Sequence, residues 1–261
     1  MLCEPLTLSP RGAHSRPLLN SLEEIGSQIH QSARTALFAA DTSFLDQLKP
    51  NFERMERMPR AVVTILSGHS VLDLRGRIGL EGLYYVGDHG LQISGPGIEF
   101  TEPEAGLLRM ALEILAAEVR SRVETVRGAR VETRTLTCSV DLRDVSPRRR
   151  GQVRRAVASA VFEVRDLFRC QENQFVCELR PNVEWSQASA IRWILNHTGG
   201  ANSTAIFIGE GFADEEVFRS LTGAITIKVG DPQRTSAAYW APDVDELLRF
   251  LAWTEVLINR P

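Results

Sequence analysis

Short apolar, β-branched runs alternate with amphipathic helical segments along this 261-residue chain, and that alternation limits its fold more than any other feature. The runs at 36–40 ("ALFAA"), 61–66 ("AVVTIL"), 83–86, 203–208 and 224–229 ("AITIKV") are predicted to be buried strands. Helices are predicted near 20–33, 44–57, 70–77, 186–198, 212–221 and 243–256. Continuous apolar strands separated by helices predict an α/β fold, a parallel sheet covered by helices on its faces. The last helix opens with "DVDE", in which Asp243 is the expected N-cap and Glu246 completes a capping box.

The middle of the chain follows another pattern. A long helix is expected over 104–126, then two strand-like runs in "ARVETRTLTCSVDLR". A helix starts at Pro147 with Ser146 placed to cap it, and Val153, Ala156, Val157, Ala160, Val161 and Val164 share one face. The runs "DLFRC" and "QFVCEL" close the block. The expected organisation is a lead-in and helix over 1–32, a core at 33–100, an inserted α+β cap at 101–181, and the rest of the core at 182–261.

Composition narrows the function classes. Hydrophobic residues at 43% and charged residues at 24% are ordinary for a globular protein, and the length suffices for a sizeable core. A net charge of −3 gives no electrostatic reason to expect nucleic acid or an anionic membrane as partner. No apolar run reaches the length of a membrane span, and "MLCEPLTLSPRGAHSRPLL" lacks a signal-peptide core. A cytoplasmic protein with a loose lead-in is therefore expected. Cys3, Cys138, Cys170 and Cys177 show no CxxC or familiar metal spacing, so reduced, buried thiols are expected. The basic stretch "SPRRRGQVRR" reads as a solvated helix face.

Chemistry is suggested where a strand stops at acids: "AIFIGEGFADEEVF" places Glu210, Asp214, Glu215 and Glu216 after an apolar run. Open α/β sheets build ligand and Mg²⁺ sites at such strand ends, and acids are equally favoured at a helix N-terminus. Four more segments stand out: "TILSGHS" at 64–70, "GLYYVGDHGLQI" at 82–93, "CELRPNVEWSQASAIRWIL" at 177–195, and "TSAAYWAPDVDELLRFLAW" near the end. In "TILSGHS" a hydroxyl and loop amides could hold a phosphate oxygen, and Ser67 is also placed to cap a helix.

In this order the five segments resemble the trehalose-6-phosphate phosphatases of the haloacid-dehalogenase-like superfamily, over about residues 33–256. The resemblance implies a Rossmannoid parallel-sheet core with an α+β cap. It also implies an aspartate nucleophile at the end of the first strand, a second Asp as acid and base, a Ser that binds phosphoryl oxygens, a cationic Lys, and acids for Mg²⁺. Phosphate binding falls to Ser67 and Gly68, and sugar binding to His89, Arg134, Arg143, Glu178 and Arg180. Glu210 and Asp214 fall on the metal positions.

The chain departs from that pattern where the bond-making groups belong. Against DxDGT it has "ALFAADTSFL", so either Ala39 or Ala40 takes the nucleophile's place; Asp41 is the surviving catalytic candidate. A methyl group cannot form an acyl phosphate. Gln187 replaces the lysine, and Gly211 replaces one acid of GDDxTDE, which implies a weak Mg²⁺ site. The resulting expectation is an impaired or inactive trehalose-phosphatase-like protein that binds trehalose 6-phosphate or a trehalose-synthesis partner. A working Mg²⁺-dependent phosphatase is the alternative.

Overall fold

A computed structural model describes residues 15–40, 43–199, 202–211 and 213–259. The expected lead-in up to residue 14 and the catalytic candidate Asp41 lie outside the described residues. In chain order the elements are β1 (Arg16–Pro17), α1 (Leu22–His30), β2 (Arg34–Ala40), α2 (Leu45–Met55), β3 (Ala61–Leu66), α3 (Val71–Ile78), β4 (Tyr84–Gly87), β5 (Gln92–Gly95) and β6 (Ile98–Thr101). Next come α4 (Pro103–Leu107), α5 (Arg109–Val123), β7 (Arg130–Thr133), β8 (Cys138–Asp141), α6 (Pro147–Glu163), β9 (Phe168–Glu172) and β10 (Val176–Pro181). The chain closes with α7 (Gln187–Thr198), β11 (Ser203–Gly209), α8 (Asp214–Ser220), β12 (Ile225–Val229), β13 (Tyr239–Ala241) and α9 (Val244–Ile258).

Two compact units divide these elements: Met1–Thr64 with Arg192–Pro261, and Ile65–Ile191. In the first, β1, β13, β12, β11 and β2 lie side by side in that order, all parallel. β2 is buried from Thr35 to Ala40, as an apolar strand between two helical layers must be. α9 packs on α1 and α2, burying Ile25, Ile29, Leu48, Phe52, Phe250 and Leu251, each worth about 1.5–3 kcal/mol of transfer free energy. The expected cap of α9 is present: Asp243 Oδ1 accepts from Glu246 N at 2.9 Å.

The second unit holds the antiparallel run β4-β5-β6 and a separate antiparallel sheet ordered β7-β8-β10-β9. One face of that four-stranded sheet (Cys138, Val140, Cys177, Leu179) is covered by Leu112, Leu115 and Val119 of α5 and by Val153, Val157, Ala160 and Val161 of α6. Alternation then turns Ser139, Glu178 and Arg180 to the opposite face.

Some expectations need correction. The helix expected over 104–126 is two helices broken at Leu108, after Gly106 has weakened the first. Ser146 stands ahead of Pro147 but makes no side-chain capping bond. Ser67 does not cap α3; Ser70 does, accepting from Asp73 N at 3.1 Å. β6 and β13, four and three residues long, are too short to show a period.

Candidate functional site

In the second unit the polar face of β10 carries a connected cluster. Arg180 Nη2 donates to His89 Nδ1 at 2.8 Å and also to Glu178 Oε2. An arginine N–H can only donate, so Nδ1 accepts, and the proton of neutral His89 sits on Nε2, facing Glu178 Oε1 at 2.8 Å. Arg134 Nη1 donates to the Gly68 carbonyl at 3.0 Å and lies 3.6 Å from Glu178 Oε1. Burial pushes the Glu178 carboxyl up, but His89 and Arg180 outweigh it and hold the group down to about 2. Burial lowers the His89 pKa against the pull of Glu178, in agreement with a neutral ring. Two guanidiniums, Arg134 and Arg180, thus face Glu178, and the buried Asp88 carboxyl also acts on Arg134. Among the described residues the buried Arg180 Nε–H has no hydrogen-bond partner.

The turn that presents His89 is built by its neighbours. Asp88 and His89 both adopt left-handed backbone, with φ of 47° and 58°. Asp88 is fully buried; its Oδ1 accepts from Leu136 N at 3.1 Å and Thr137 Oγ1 at 2.8 Å, tying the turn to the β7–β8 connection. Its Oδ2 has no hydrogen-bond partner among the described residues, and burial raises its pKa. A Cβ on Gly68 would lie 2.5 Å from the His89 ring, so glycine is needed for the imidazole to pack there. Trp185 Nε1 donates to the Gly90 carbonyl at 2.8 Å. Sequence reasoning missed Asp88, although it stands beside His89 in the segment quoted above.

Of the expected binding residues, Gly68, His89, Arg134, Glu178 and Arg180 are brought together. Ser67 is adjacent in sequence, its Oγ accepting from His69 N at 3.0 Å. Arg143 is engaged elsewhere: its side chain, 68% exposed, pairs with Asp141 at 2.5 Å. Gln187 opens α7, whose first turn is capped by Ser186 Oγ accepting from Ser189 N at 3.2 Å.

The first unit holds the strand ends with the acids. Register sets Ala39 beside Ile208, and Gly209 beside Lys228. Ala39 and Ala40 are buried methyl groups. Glu210 is committed to Ser43, accepting from its N at 3.0 Å and its Oγ at 3.0 and 3.1 Å. Asp214 Oδ2 accepts from Glu210 N at 2.9 Å and Gly211 N at 2.7 Å, folding the acidic loop over α8; burial raises its pKa. Glu215 accepts from Thr235 Oγ1 and Ser236 N, both at 2.7 Å. Lys228 Nζ donates to the Glu210 carbonyl. Lys228 was not foreseen as part of this edge.

Mg²⁺ requires near-octahedral oxygen ligands, held by one or two carboxylates with room around them. Here both oxygens of Glu210 and one of Asp214 are already engaged by the protein. Among the described residues no trio of metal-type ligands gathers at this edge. Among the described residues, the carboxylates of this edge are arranged as hydrogen-bond acceptors and not as a Mg²⁺ ligand set.

Comparison with known proteins places this geometry. The family model described as Trehalose-phosphatase matches residues 36–243. A trehalose-phosphate phosphatase of Mycobacterium tuberculosis is 31% identical over 193 residues, covering 70% of this chain and 49% of that protein. The chain thus spans about half the length of the curated relatives it matches. Among solved structures, the C-terminal domain of a Candida albicans trehalose-6-phosphate phosphatase superposes with a TM-score of 0.74 at 14% identity, covering 94% of this chain and 99% of that one. The C-terminal domain of a Candida albicans trehalose synthase regulatory protein gives 0.71 at 14% identity, covering 91% and 99%. The fold is the haloacid-dehalogenase-like α/β architecture expected from the sequence, and the chain belongs to the trehalose-phosphatase family.

Proposed function

We propose that this chain binds a sugar phosphate, trehalose 6-phosphate, and hydrolyses it poorly or not at all. The observation that carries the reading is the half-buried β10 cluster, in which the guanidiniums of Arg134 and Arg180 converge on Glu178 beside His89. A ligand phosphate or hydroxyl oxygen would accept charge-assisted hydrogen bonds from the partly exposed Arg134 and Arg180 guanidiniums. Impairment is supported by Ala39 and Ala40 at the strand end, by Gln187 in place of the lysine, and by acids committed to Ser43 and loop amides. Loss of groups that act as a unit costs on the order of a millionfold in rate.

A second reading, a working phosphatase with Asp41 attacking phosphorus, is favoured by one observation. Lys228 brings an ammonium to the strand edge beside Gly209, a cation displaced from the family's lysine position. Thermal unfolding with and without millimolar trehalose 6-phosphate, run beside a phosphate-release assay, separates the two. Ligand at a hundredfold excess over Kd stabilises by about 2.7 kcal/mol, so the melting temperature should rise by several degrees without phosphate release. An unmoved melting curve rejects binding. Turnover lost in Asp41→Asn and Lys228→Met would establish the second reading.

A further inference from the structure

Sulfur ligands cluster on the opposite face of β10 from Glu178. Cys170, Glu172 and Cys177 place two Sγ atoms and a carboxylate oxygen all within 4.8 Å of one another, the one such trio among the described residues. The linear spacing Cys-x-Glu-x4-Cys matches no familiar metal motif, so only the β9–β10 hairpin reveals it. Pairing of Cys177 with Glu172, and of Leu179 with Cys170, points all four side chains to one face, the side covered by α6. Cys177 is buried and Cys170 half-buried, and both are free thiols.

We propose that Cys170, Glu172 and Cys177 form a binding site for a borderline-soft divalent cation of the zinc class. Geometry favours a cation over a disulfide. The two cysteines are diagonal neighbours across an antiparallel pair, with Cα atoms about 7–8 Å apart, beyond the usual disulfide range. Two thiolates on tetrahedral zinc, with bonds of about 2.3 Å, need their sulfurs only about 3.8 Å apart. The carboxylate is held beside the two thiols, since Arg154 Nη1 donates to Glu172 Oε2 at 2.7 Å. Arg154 Nη2 also anchors the hairpin through the carbonyls of Asn173 and Gln174, at 2.9 and 2.8 Å. Such outer contacts orient a ligand and commonly alter affinity by about 10–100-fold. Three protein ligands leave the fourth position to water, on the side where Glu172 is exposed. Binding releases the thiol protons and fastens edge strand β9 to β10 beneath α6.

The full-length protein, freed of metal under a non-thiol reductant, is titrated with Zn²⁺ and with Co²⁺. One cation should bind per chain, Co²⁺ should give a thiolate charge-transfer band, and Zn²⁺ should shield the half-buried Cys170 thiol from an aromatic disulfide reagent. Cys170→Ser and Cys177→Ser should each abolish the band, and Glu172→Gln should weaken binding by roughly tenfold. Thiol shielding in the wild type decides the matter even where a variant fails to fold. Unchanged thiol reactivity with Zn²⁺, a band surviving in the double serine variant, or a Cys170–Cys177 disulfide forming equally fast with and without Zn²⁺ overturns the assignment.

Discussion

Glu178 stands on β10 between His89 and the guanidiniums of Arg134 and Arg180, so its charge is stabilised only in the folded chain. Its folded pKa of about 2 lies below the unfolded value of about 4.3, so its contribution is complete above the unfolded value and lost as pH falls toward about 2. His89 is also lowered on folding, and the unfolded chain takes up its proton first, so stability begins to fall below about pH 6.5. Urea unfolding across pH 3–8 should show both windows. His89→Gln should flatten the upper one, and an unchanged slope there would contradict a neutral buried imidazole. Glu178→Gln should cost roughly 1.5–3 kcal/mol, because it leaves two guanidiniums facing each other without their carboxylate.

At the scale of elements, the turn ending β4 and the loop ending β3 are fitted to one another. A Cβ on Gly68 would strike the His89 ring at 2.5 Å, and that ring is held on both nitrogens and cannot yield cheaply. Gly68→Ala should therefore destabilise by about 1–3 kcal/mol. The double variant with His89→Ala should recover much of that loss, a coupling readable in a double-mutant cycle. Full additivity would mean that the ring is not the obstacle. Strands and helices with a sustained apolar period, such as β2, β11, α6 and α9, were legible in the sequence because burial imposes the period directly. Side-chain commitments were not. Glu210 bonding Ser43 and Arg143 turning to Asp141 depend on loop paths that no local pattern encodes. His89, Arg134, Glu178 and Arg180 were legible as candidates only through the ordered segments; their joining into one network needed the register of β10.

For the whole molecule, the proposed function rests on two sets of groups. In the parallel sheet β2 ends in the buried methyl groups of Ala39 and Ala40, and Glu210 and Asp214 accept hydrogen bonds from the protein itself. The cluster on β10 joins two guanidiniums, a carboxylate and an imidazole in one network. Among the described residues no helix is long and apolar enough to cross a membrane. On the proposed reading, a chain that binds without hydrolysis would act as a sensor or carrier of its ligand, and a trehalose-synthesis enzyme is the partner class such a role would serve. Arg180→Lys keeps the charge but loses the fork, so it should weaken trehalose 6-phosphate binding at least severalfold in calorimetric titration. Unaltered affinity would place the ligand elsewhere. Phosphorus NMR of trehalose 6-phosphate with equimolar protein reads recognition and turnover in one sample. The phosphomonoester resonance should shift or broaden as protein is added, with no inorganic phosphate growing in beside it. An unperturbed resonance, or a steadily rising inorganic phosphate signal, would contradict binding without hydrolysis.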